Sequence, residues 1–230
     1  MATVITRNLH RTYSIGGIES VALRGVDLSI EPGEFTVIAG PSGSGKTTLL
    51  NLIGAIDSPT KGEILLDGQD LGKLSASQRA RVRLERLGFV FQSYNLLPIL
   101  TARENVELVL ELRRVPAGER RRLARQVLED LGLGELENRR PLEMSGGQQQ
   151  RVAVARAIVD RPDLVLADEP TANLDRASSE ALLNLMQRIN EERSTTFVFS
   201  THDPQVMERA RRTIVLADGE IVDERATATL

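Results

Sequence analysis

A phosphate-binding loop constrains this chain more than any other feature of its sequence. The segment Gly40-Pro41-Ser42-Gly43-Ser44-Gly45-Lys46-Thr47 has the spacing G-x-x-x-x-G-K-[ST], and it lies between an apolar run at 35–39 and a helical run at 48–53. The four fixed positions would arise by chance, as an ordinary glycine-rich turn, with a probability of about 0.2 % in a chain of this composition. The loop therefore predicts a strand, a turn whose N–H groups converge on phosphate oxygens, and a helix with its positive end toward the phosphate.

The residue types in this loop indicate a nucleoside triphosphate with a magnesium ion. Glycines permit positive φ angles and a close approach of the backbone to the ligand. Lys46 is expected to reach the β- and γ-phosphates, and the hydroxyl of Thr47 is expected to bind Mg²⁺. The loop alone leaves open a kinase, a GTPase or a motor, so the rest of the chain has to decide.

Composition excludes several other classes of site. The 230 residues include no cysteine and two histidines, His10 and His202, so any metal must sit on oxygen ligands. The net charge of −3 predicts no nucleic-acid partner, and the arginine-rich stretch at 113–125 is interpreted as a solvated helix face rather than as a patch for an anionic partner. No apolar run reaches about 18 residues and residues 1–9 lack a signal-peptide pattern, so we expect a cytoplasmic chain that does not cross a membrane by itself.

Hydrophobic patterning predicts an α/β fold with a mostly parallel sheet. Short apolar runs at 35–39, 164–167 and 196–199 each precede a helical stretch, which is typical of buried parallel strands. Alternation at 4–9 and 26–30 predicts an antiparallel β subdomain near the N-terminus, and the arginine- and leucine-rich sequence from 92 to about 140 predicts an inserted α-helical subdomain. Residues 213–224 read as a hairpin with a type I′ turn at Asp218-Gly219.

Two adjacent carboxylates follow the second apolar run. Asp168 and Glu169 stand where a parallel sheet opens its ligand crevice, and neighbouring strand residues point in opposite directions, so they can have different roles. Asp168 fits a water-mediated Mg²⁺ ligand, and Glu169 fits the group that polarises an attacking water. The alternative is a strand-end turn with two solvated acids.

Two further polar residues end strands of the same predicted sheet. His202 follows the run that begins at Thr196 and could contact the γ-phosphate or the attacking water, although a histidine here is also compatible with a surface or core role. Gln92 follows the run 88–91, and its amide could contact Mg²⁺ or water, but a strand-end glutamine does not by itself fix this role.

Taken together and in order, these residues resemble the nucleotide-binding subunit of ATP-binding-cassette transporters over nearly the whole chain. The decisive segment is Met144-Ser145-Gly146-Gly147-Gln148-Gln149-Gln150-Arg151, which is similar to the signature sequence of that family, with Met144 in place of the usual leucine. Physically, Ser145 can cap a helix at 148–160 whose N-terminus approaches a phosphate through Gly146 and Gly147.

The resemblance implies a role for each matching residue. Tyr13 matches the aromatic that stacks on adenine, although a simple strand-edge aromatic is a competing interpretation. The ATP- and Mg²⁺-binding set that it implies comprises Tyr13, Gly40, Pro41, Ser42, Gly43, Ser44, Gly45, Lys46, Thr47, Thr48, Ser145, Gly146, Gly147, Gln148 and Asp175, with Thr47, Gln92 and Asp168 at the metal and Lys46, Gln92, Glu169 and His202 in catalysis. It also implies a head-to-tail homodimer, in which Ser145 and Gly147 of one copy complete the ATP site of the other.

The resemblance further implies a single cassette over 1–230. Residues 1–91 and 162–230 would form the ATP-binding core and about 92–161 the helical subdomain. The segment 91–106 is similar to the branch that holds macrolide-exporter and lipoprotein-release ATPases, which implies an integral membrane permease as partner and a position on the inner face of the membrane. A cell-division-type regulatory ATPase and a soluble ATPase acting on DNA or ribosomes are the alternatives.

Overall fold

The computed structural model describes residues 3–226. Its strands are β1 (Val4–Ile15), β2 (Ile18–Ile30), β3 (Phe35–Ala39), β4 (Lys61–Leu66), β5 (Gln69–Asp70), β6 (Leu87–Val90), β7 (Leu164–Asp168), β8 (Thr196–Thr201), β9 (Arg212–Ala217) and β10 (Glu220–Ala226). Its helices are α1 (Lys46–Ile53), α2 (Ala76–Arg86), α3 (Ala102–Leu112), α4 (Ala117–Asp130), α5 (Gly146–Ile158), α6 (Arg176–Arg193) and α7 (Pro204–Arg209). In the described residues, no helix is both long and apolar enough to cross a membrane.

The central sheet is parallel apart from one edge strand. Its order is β10-β9-β3-β8-β7-β6, and only the pairing of β10 with β9 is antiparallel. Every residue of β3 and β8 is buried, as expected for strands covered on both faces. The three apolar runs therefore form adjacent parallel strands, as predicted, and the residues that follow them meet at one edge of the sheet.

Two antiparallel features also agree with the sequence predictions. A second sheet has the order β2-β1-β4-β5, and β1 pairs with β2 so that Val4 faces Ile30. Between β9 and β10, Asp218 has φ 48° and Gly219 has φ 83°. A type I′ turn needs positive φ at both central residues, so this hairpin is confirmed.

The predicted helical region contains α3 and α4, which pack with α5 on the central sheet. Thr101 caps α3 and forms a reciprocal capping box with Glu104. Half of the arginines in the basic stretch pair with nearby acids: Arg113 with Asp160, Arg120 with Glu107 and Glu111, and Arg125 with Glu137. This pairing supports the interpretation of the stretch as an ordinary helix surface.

The packing of α5 on β6 generates a prediction about stability. A Cβ atom at Gly88 would lie 2.4 Å from the carbonyl oxygen of Ala157, which is backbone and cannot move aside without shifting the helix. We expect Gly88→Ala to lower the free energy of unfolding by about 1–3 kcal/mol, as for other overpacked sites. Urea denaturation measures this difference.

A matched control is available in α4. Gly118 has no atom within 4 Å of its ideal Cβ position, so Gly118→Ala should be neutral or should stabilise the protein by up to about 1 kcal/mol. Equal stability of the Gly88→Ala variant and the unmodified chain would contradict close contact between α5 and β6.

Candidate active site

The phosphate loop joins β3 to α1 and has a geometry that only glycine can adopt at two positions. Gly40 has φ 151°, and a Cβ there would lie 2.0 Å from the carbonyl oxygen of Leu216. Gly45 has φ 104°, and its Cβ would lie 2.6 Å from the carbonyl oxygen of Ala22. Open space surrounds Gly43, which also has positive φ. The loop is therefore packed tightly on its inner side and open on its outer side.

Lys46 begins α1, two residues before the start expected from the sequence, so Lys46, Thr47 and Thr48 lie in its first turn. The Lys46 ammonium donates hydrogen bonds to the carbonyl oxygens of Gly40 (2.8 Å) and Pro41 (2.9 Å). Beside it, the buried Ser44 hydroxyl has no hydrogen-bond partner in the described chain. A cation and an unpaired hydroxyl at a helix N-terminus are suited to bind phosphate.

Thr47 and Asp168 bring two oxygen ligands together. The Thr47 hydroxyl lies 3.3 Å from both carboxylate oxygens of Asp168, which ends β7. Burial raises the pKa of Asp168, and the neighbouring charge of Glu169 adds to the effect. A hydroxyl and a carboxylate of this kind are the hard ligands that Mg²⁺ prefers, so Thr47 and Asp168, two of the three predicted metal ligands, fit the ion.

Glu169 faces a different set of partners from Asp168, as predicted, but for another reason than strand alternation: β7 ends at Asp168, and Glu169 follows it in a left-handed conformation. Its carboxylate accepts a hydrogen bond from the Thr201 hydroxyl at 2.9 Å and lies 2.8 Å from Nδ1 of His202. The Glu169 backbone has φ 46°, and its N–H donates to the carbonyl oxygen of Ser200 at 2.8 Å. The His202 side chain is 75 % exposed while that of Glu169 is 17 % exposed, so the histidine lies on the open side of the carboxylate.

Gln92 follows β6, but its side chain is exposed and makes no hydrogen bond to any described residue. The structure joins this loop to the segment after Glu169 through the backbone instead, because the Asn173 amide donates to the carbonyl oxygen of Gln92 at 2.9 Å. The next residues, Tyr94 and Asn95, both have positive φ, and the Arg156 guanidinium donates to their carbonyl oxygens.

Ser145 caps α5 as predicted, and Gln148 completes a reciprocal capping box. The helix begins at Gly146 rather than at Gln148. Both glycines are packed closely: a Cβ at Gly146 would lie 2.8 Å from the Tyr94 hydroxyl, and one at Gly147 would lie 3.0 Å from the Ser178 hydroxyl.

The signature segment and the phosphate loop form two separate groups. Within residues 3–226, no hydrogen bond joins 145–148 to 40–48. Asp175 caps α6 by accepting hydrogen bonds from the Ser178 N–H (2.9 Å) and hydroxyl (2.7 Å), which lower its pKa. The signature segment and Asp175 therefore lie beside one another through Ser178, and in the described residues neither is hydrogen-bonded to the phosphate loop of the same chain.

Tyr13 lies on β1 with its ring half-buried. Its hydroxyl donates to Asp57 at 2.9 Å, and the Arg11 guanidinium lies 4.5 Å from its ring centroid. Arg11 also forms an ion pair with Asp57 at 2.8 Å. Asp57 follows α1, so this aromatic ring is attached to the end of the phosphate-loop helix.

Sequence reasoning missed two residues of this site. Thr201 donates to Glu169, and Gln150 is a fully buried amide that donates to the carbonyl oxygens of Pro170 and Phe91. A glutamine at a buried position of an otherwise apolar helix face is a signal for such a bond, because a buried amide needs a partner.

Comparisons with known proteins agree with this geometry. The model of a family described as ABC transporter matches residues 23–172. The chain belongs to this ABC transporter family. It is 45 % identical over 226 residues to the macrolide export ATP-binding/permease protein MacB of Syntrophobacter fumaroxidans, covering 97 % of this chain and 32 % of that protein. It is 46 % identical to the lipoprotein-releasing system ATP-binding protein LolD 1 of Rhodopseudomonas palustris, covering 93 % of this chain and 95 % of that protein.

A solved structure supports the same assignment. The ATP-binding cassette MJ0796, solved as a dimer in a post-hydrolysis state with ADP and phosphate, superimposes with a TM-score of 0.91 at 42 % identity, covering 99 % of this chain and all of that one. The chain is thus an ABC ATPase cassette with the mixed α/β fold expected from its sequence. It spans about a third of the length of the MacB protein and nearly all of LolD 1.

The raised pKa of Asp168 in this ABC cassette leads to a prediction with a definite sign. A carboxyl whose pKa is raised by folding stabilises the protein below its unfolded pKa, and this contribution is lost as the pH rises through the folded value. Without nucleotide and Mg²⁺, we therefore expect Asp168→Asn to be more stable than the unmodified cassette at pH 7, with the difference disappearing toward pH 4. Thermal unfolding across this pH range measures it.

Asp175→Asn is the control with the opposite sign, because hydrogen bonds from Ser178 lower the pKa of Asp175. This variant should be less stable than the unmodified chain at pH 7. Loss of stability in Asp168→Asn at that pH would contradict the buried, charge-crowded environment assigned to Asp168.

Proposed function

We propose that this chain binds ATP on the phosphate loop and hydrolyses it at the edge of the sheet where Thr47, Asp168, Glu169 and His202 meet. The observation that carries the proposal is the separation of the two adjacent carboxylates: one faces the hydroxyl of the loop, and the other faces the exposed histidine. The Lys46 ammonium and the N-terminus of α1 stabilise charge on the β- and γ-phosphates, and the adenine stacks on Tyr13.

Thr47 and Asp168 would hold the Mg²⁺ ion, with Gln92 as a further ligand when its loop moves inward. A bound Mg²⁺ neutralises charge on the phosphate oxygens. Glu169 orients and polarises the attacking water, and His202, held 2.8 Å from that carboxylate, contacts the γ-phosphate. Ordinary phosphoryl transfer needs mainly positioning and electrostatic stabilisation, which these groups supply.

A second copy of the chain completes each site in this proposal. The capped N-terminus of α5, with Ser145, Gly146, Gly147 and Gln148, makes no hydrogen bond to its own phosphate loop. In a head-to-tail dimer it would face the γ-phosphate bound by the other copy, with Asp175 crossing nearby. The dimeric MJ0796 cassette supports this arrangement.

We also propose that the dimer drives an integral membrane permease from the inner face of the membrane, as an ATPase of the macrolide-export or lipoprotein-release type. The similarity to MacB and LolD supports this branch. Residues 92–161 would then form the helical subdomain that interacts with the permease, while residues 1–91 and 162–230 form the ATP-binding core. The proposal includes no nucleic-acid partner.

Replacing the proposed base separates binding from hydrolysis. Glu169→Gln should keep the affinity for ATP while turnover falls by at least about 10²-fold, because the amide cannot accept a proton from water. Mg-ATP at about 100 times Kd should stabilise the variant and the unmodified chain alike, by about 2.7 kcal/mol in the free energy of unfolding or about 5–11 °C in Tm. The variant should also accumulate as a dimer with ATP in size-exclusion chromatography.

Glu208→Gln is the matched control, since Glu208 is exposed on α7 and has no acidic or basic partner among the described side chains. Its turnover should equal that of the unmodified chain. Normal turnover in Glu169→Gln would remove Glu169 from the reaction, and no thermal shift with Mg-ATP in either protein would refute nucleotide binding.

The membrane partner is tested by affinity isolation of Glu169→Gln from native membranes with ATP. We expect a protein with few transmembrane helices and a large domain outside the membrane. A many-helix permease with a binding protein would indicate import, and a partner that regulates cell-wall enzymes would indicate the cell-division alternative. Recovery of only nucleic-acid or ribosomal material would refute the transporter assignment.

A further inference from the structure

One buried amide links three segments of the proposed active site. Gln150 lies on α5 with no exposed surface, and its Nε2 donates to the carbonyl oxygens of Pro170 at 2.7 Å and Phe91 at 3.3 Å. Pro170 directly follows Glu169, and Phe91 directly precedes Gln92. A single side chain on α5 therefore binds the backbone next to Glu169 and the backbone next to Gln92, at the sheet edge where the chemistry is proposed.

Other contacts connect the same segments. Arg156, also on α5, donates to the carbonyl oxygens of Tyr94 and Asn95, and the Asn173 amide donates to that of Gln92 at 2.9 Å. The Gln92 loop is thus attached to α5 at both ends. Of these three described side chains, only Gln150 also donates to the carbonyl oxygen of Pro170, the residue after Glu169.

The backbone at Glu169 is sensitive to changes in its surroundings. Glu169 has φ 46°, a conformation that costs free energy in a residue other than glycine and persists only where the surroundings hold it. The Pro170 carbonyl lies directly after it, and proline offers no N–H of its own for a compensating bond. Removing the Gln150 amide would leave two carbonyl groups without this donor and free the backbone beside Glu169 to relax.

We propose that Gln150 is a positioning residue that fixes the Glu169 carboxylate relative to the Gln92 loop and the signature helix, so that these three segments move as one unit. The inference rests on the proposed function, since it assigns to Gln150 a part in ATP hydrolysis. In the proposed site Gln150 touches neither the nucleotide nor the attacking water, and it acts only through the backbone.

The principal test compares two variants that each remove one buried amide. Gln150→Met keeps a side chain of similar length but supplies no donor. Asn190→Leu removes an amide that donates to the carbonyl oxygens of Gly33 (2.9 Å) and Thr195 (2.7 Å), at the opposite end of the strands. We expect both variants to lower Tm, whereas kcat falls about 10- to 100-fold in Gln150→Met alone, the effect of misplacing a reacting group by about 1 Å. KM for ATP should change less than about twofold, because the phosphate loop is untouched.

A conservative variant tests whether the donor itself matters. Gln150→Glu has the shape of glutamine, and its carboxyl can donate to Pro170 only when protonated; burial raises the pKa of such a carboxyl. The ratio of its kcat to that of the unmodified chain should therefore rise as the pH falls from about 9 to 6, while the ratio for Gln150→Met stays constant. A recovery of kcat at low pH would indicate that the protonated carboxyl replaces the amide donor, because a packing defect alone would not depend on pH.

Hydrogen exchange of the nucleotide-free protein separates this inference from the proposed function. The backbone amides of residues 169, 171–174 and 91–95 should exchange faster in Gln150→Met than in Asn190→Leu. If the unmodified chain hydrolyses no ATP, the proposed function fails while this measurement still decides the positioning claim. Equal kcat and equal exchange in the two variants would overturn the role of Gln150.

Discussion

Parallel hydrogen bonding between β3 and β8, and between β8 and β7, holds the carboxyl ends of three buried strands side by side. The phosphate loop follows β3, Asp168 ends β7 with Glu169 directly after it, and His202 follows β8, so strand pairing brings these groups to one edge of the sheet. Phe35, Phe197 and Phe199 are fully buried against one another in this sheet, with ring centroids 4.6–5.9 Å apart. Packing of these apolar rings inside the sheet therefore helps to fix the positions of the charged groups at its open edge.

The same arrangement places the Asp168 carboxylate where it is costly to ionise. Asp168 is partly buried and adjacent to Glu169, and both effects raise its pKa. In the proposed site, a bound Mg²⁺ would offset this cost, because it adds positive charge to the partial compensation that Lys46, Thr47 and Ser200 supply. The site is thus less stable when empty than a neutral site would be, which is the usual relation between a reactive centre and the fold that holds it.

Features with a local signal were predictable from the sequence, whereas long-range contacts were not. The phosphate loop, the buried strands, the Ser145 cap and the Asp218-Gly219 turn each depend on a few neighbouring residues. The helix α2 gave little signal because Val82 is its only buried residue, and β4 buries only Ile64 and Leu66 by pairing with a distant strand. The start of α5 at Gly146 was misplaced because glycine is a weak helix former, whereas the capping box of Ser145 and Gln148 starts the helix directly after Ser145.

The chain has two helix N-termini suited to bind an anion, at α1 and at α5, and the contacts of α5 oppose the use of both on one phosphate within a single copy. Its signature end packs against Tyr94 and Ser178, and its buried face holds the Gln92 loop and Pro170 through Gln150. Bringing this end to its own phosphate loop would break those contacts, which also support Glu169. A second copy related by two-fold symmetry supplies the missing helix end without that loss, since the same surface then serves both sites. In the proposed dimer, hydrolysis therefore depends on association, and whatever displaces the Gln92 loop acts on the base and on the signature helix together.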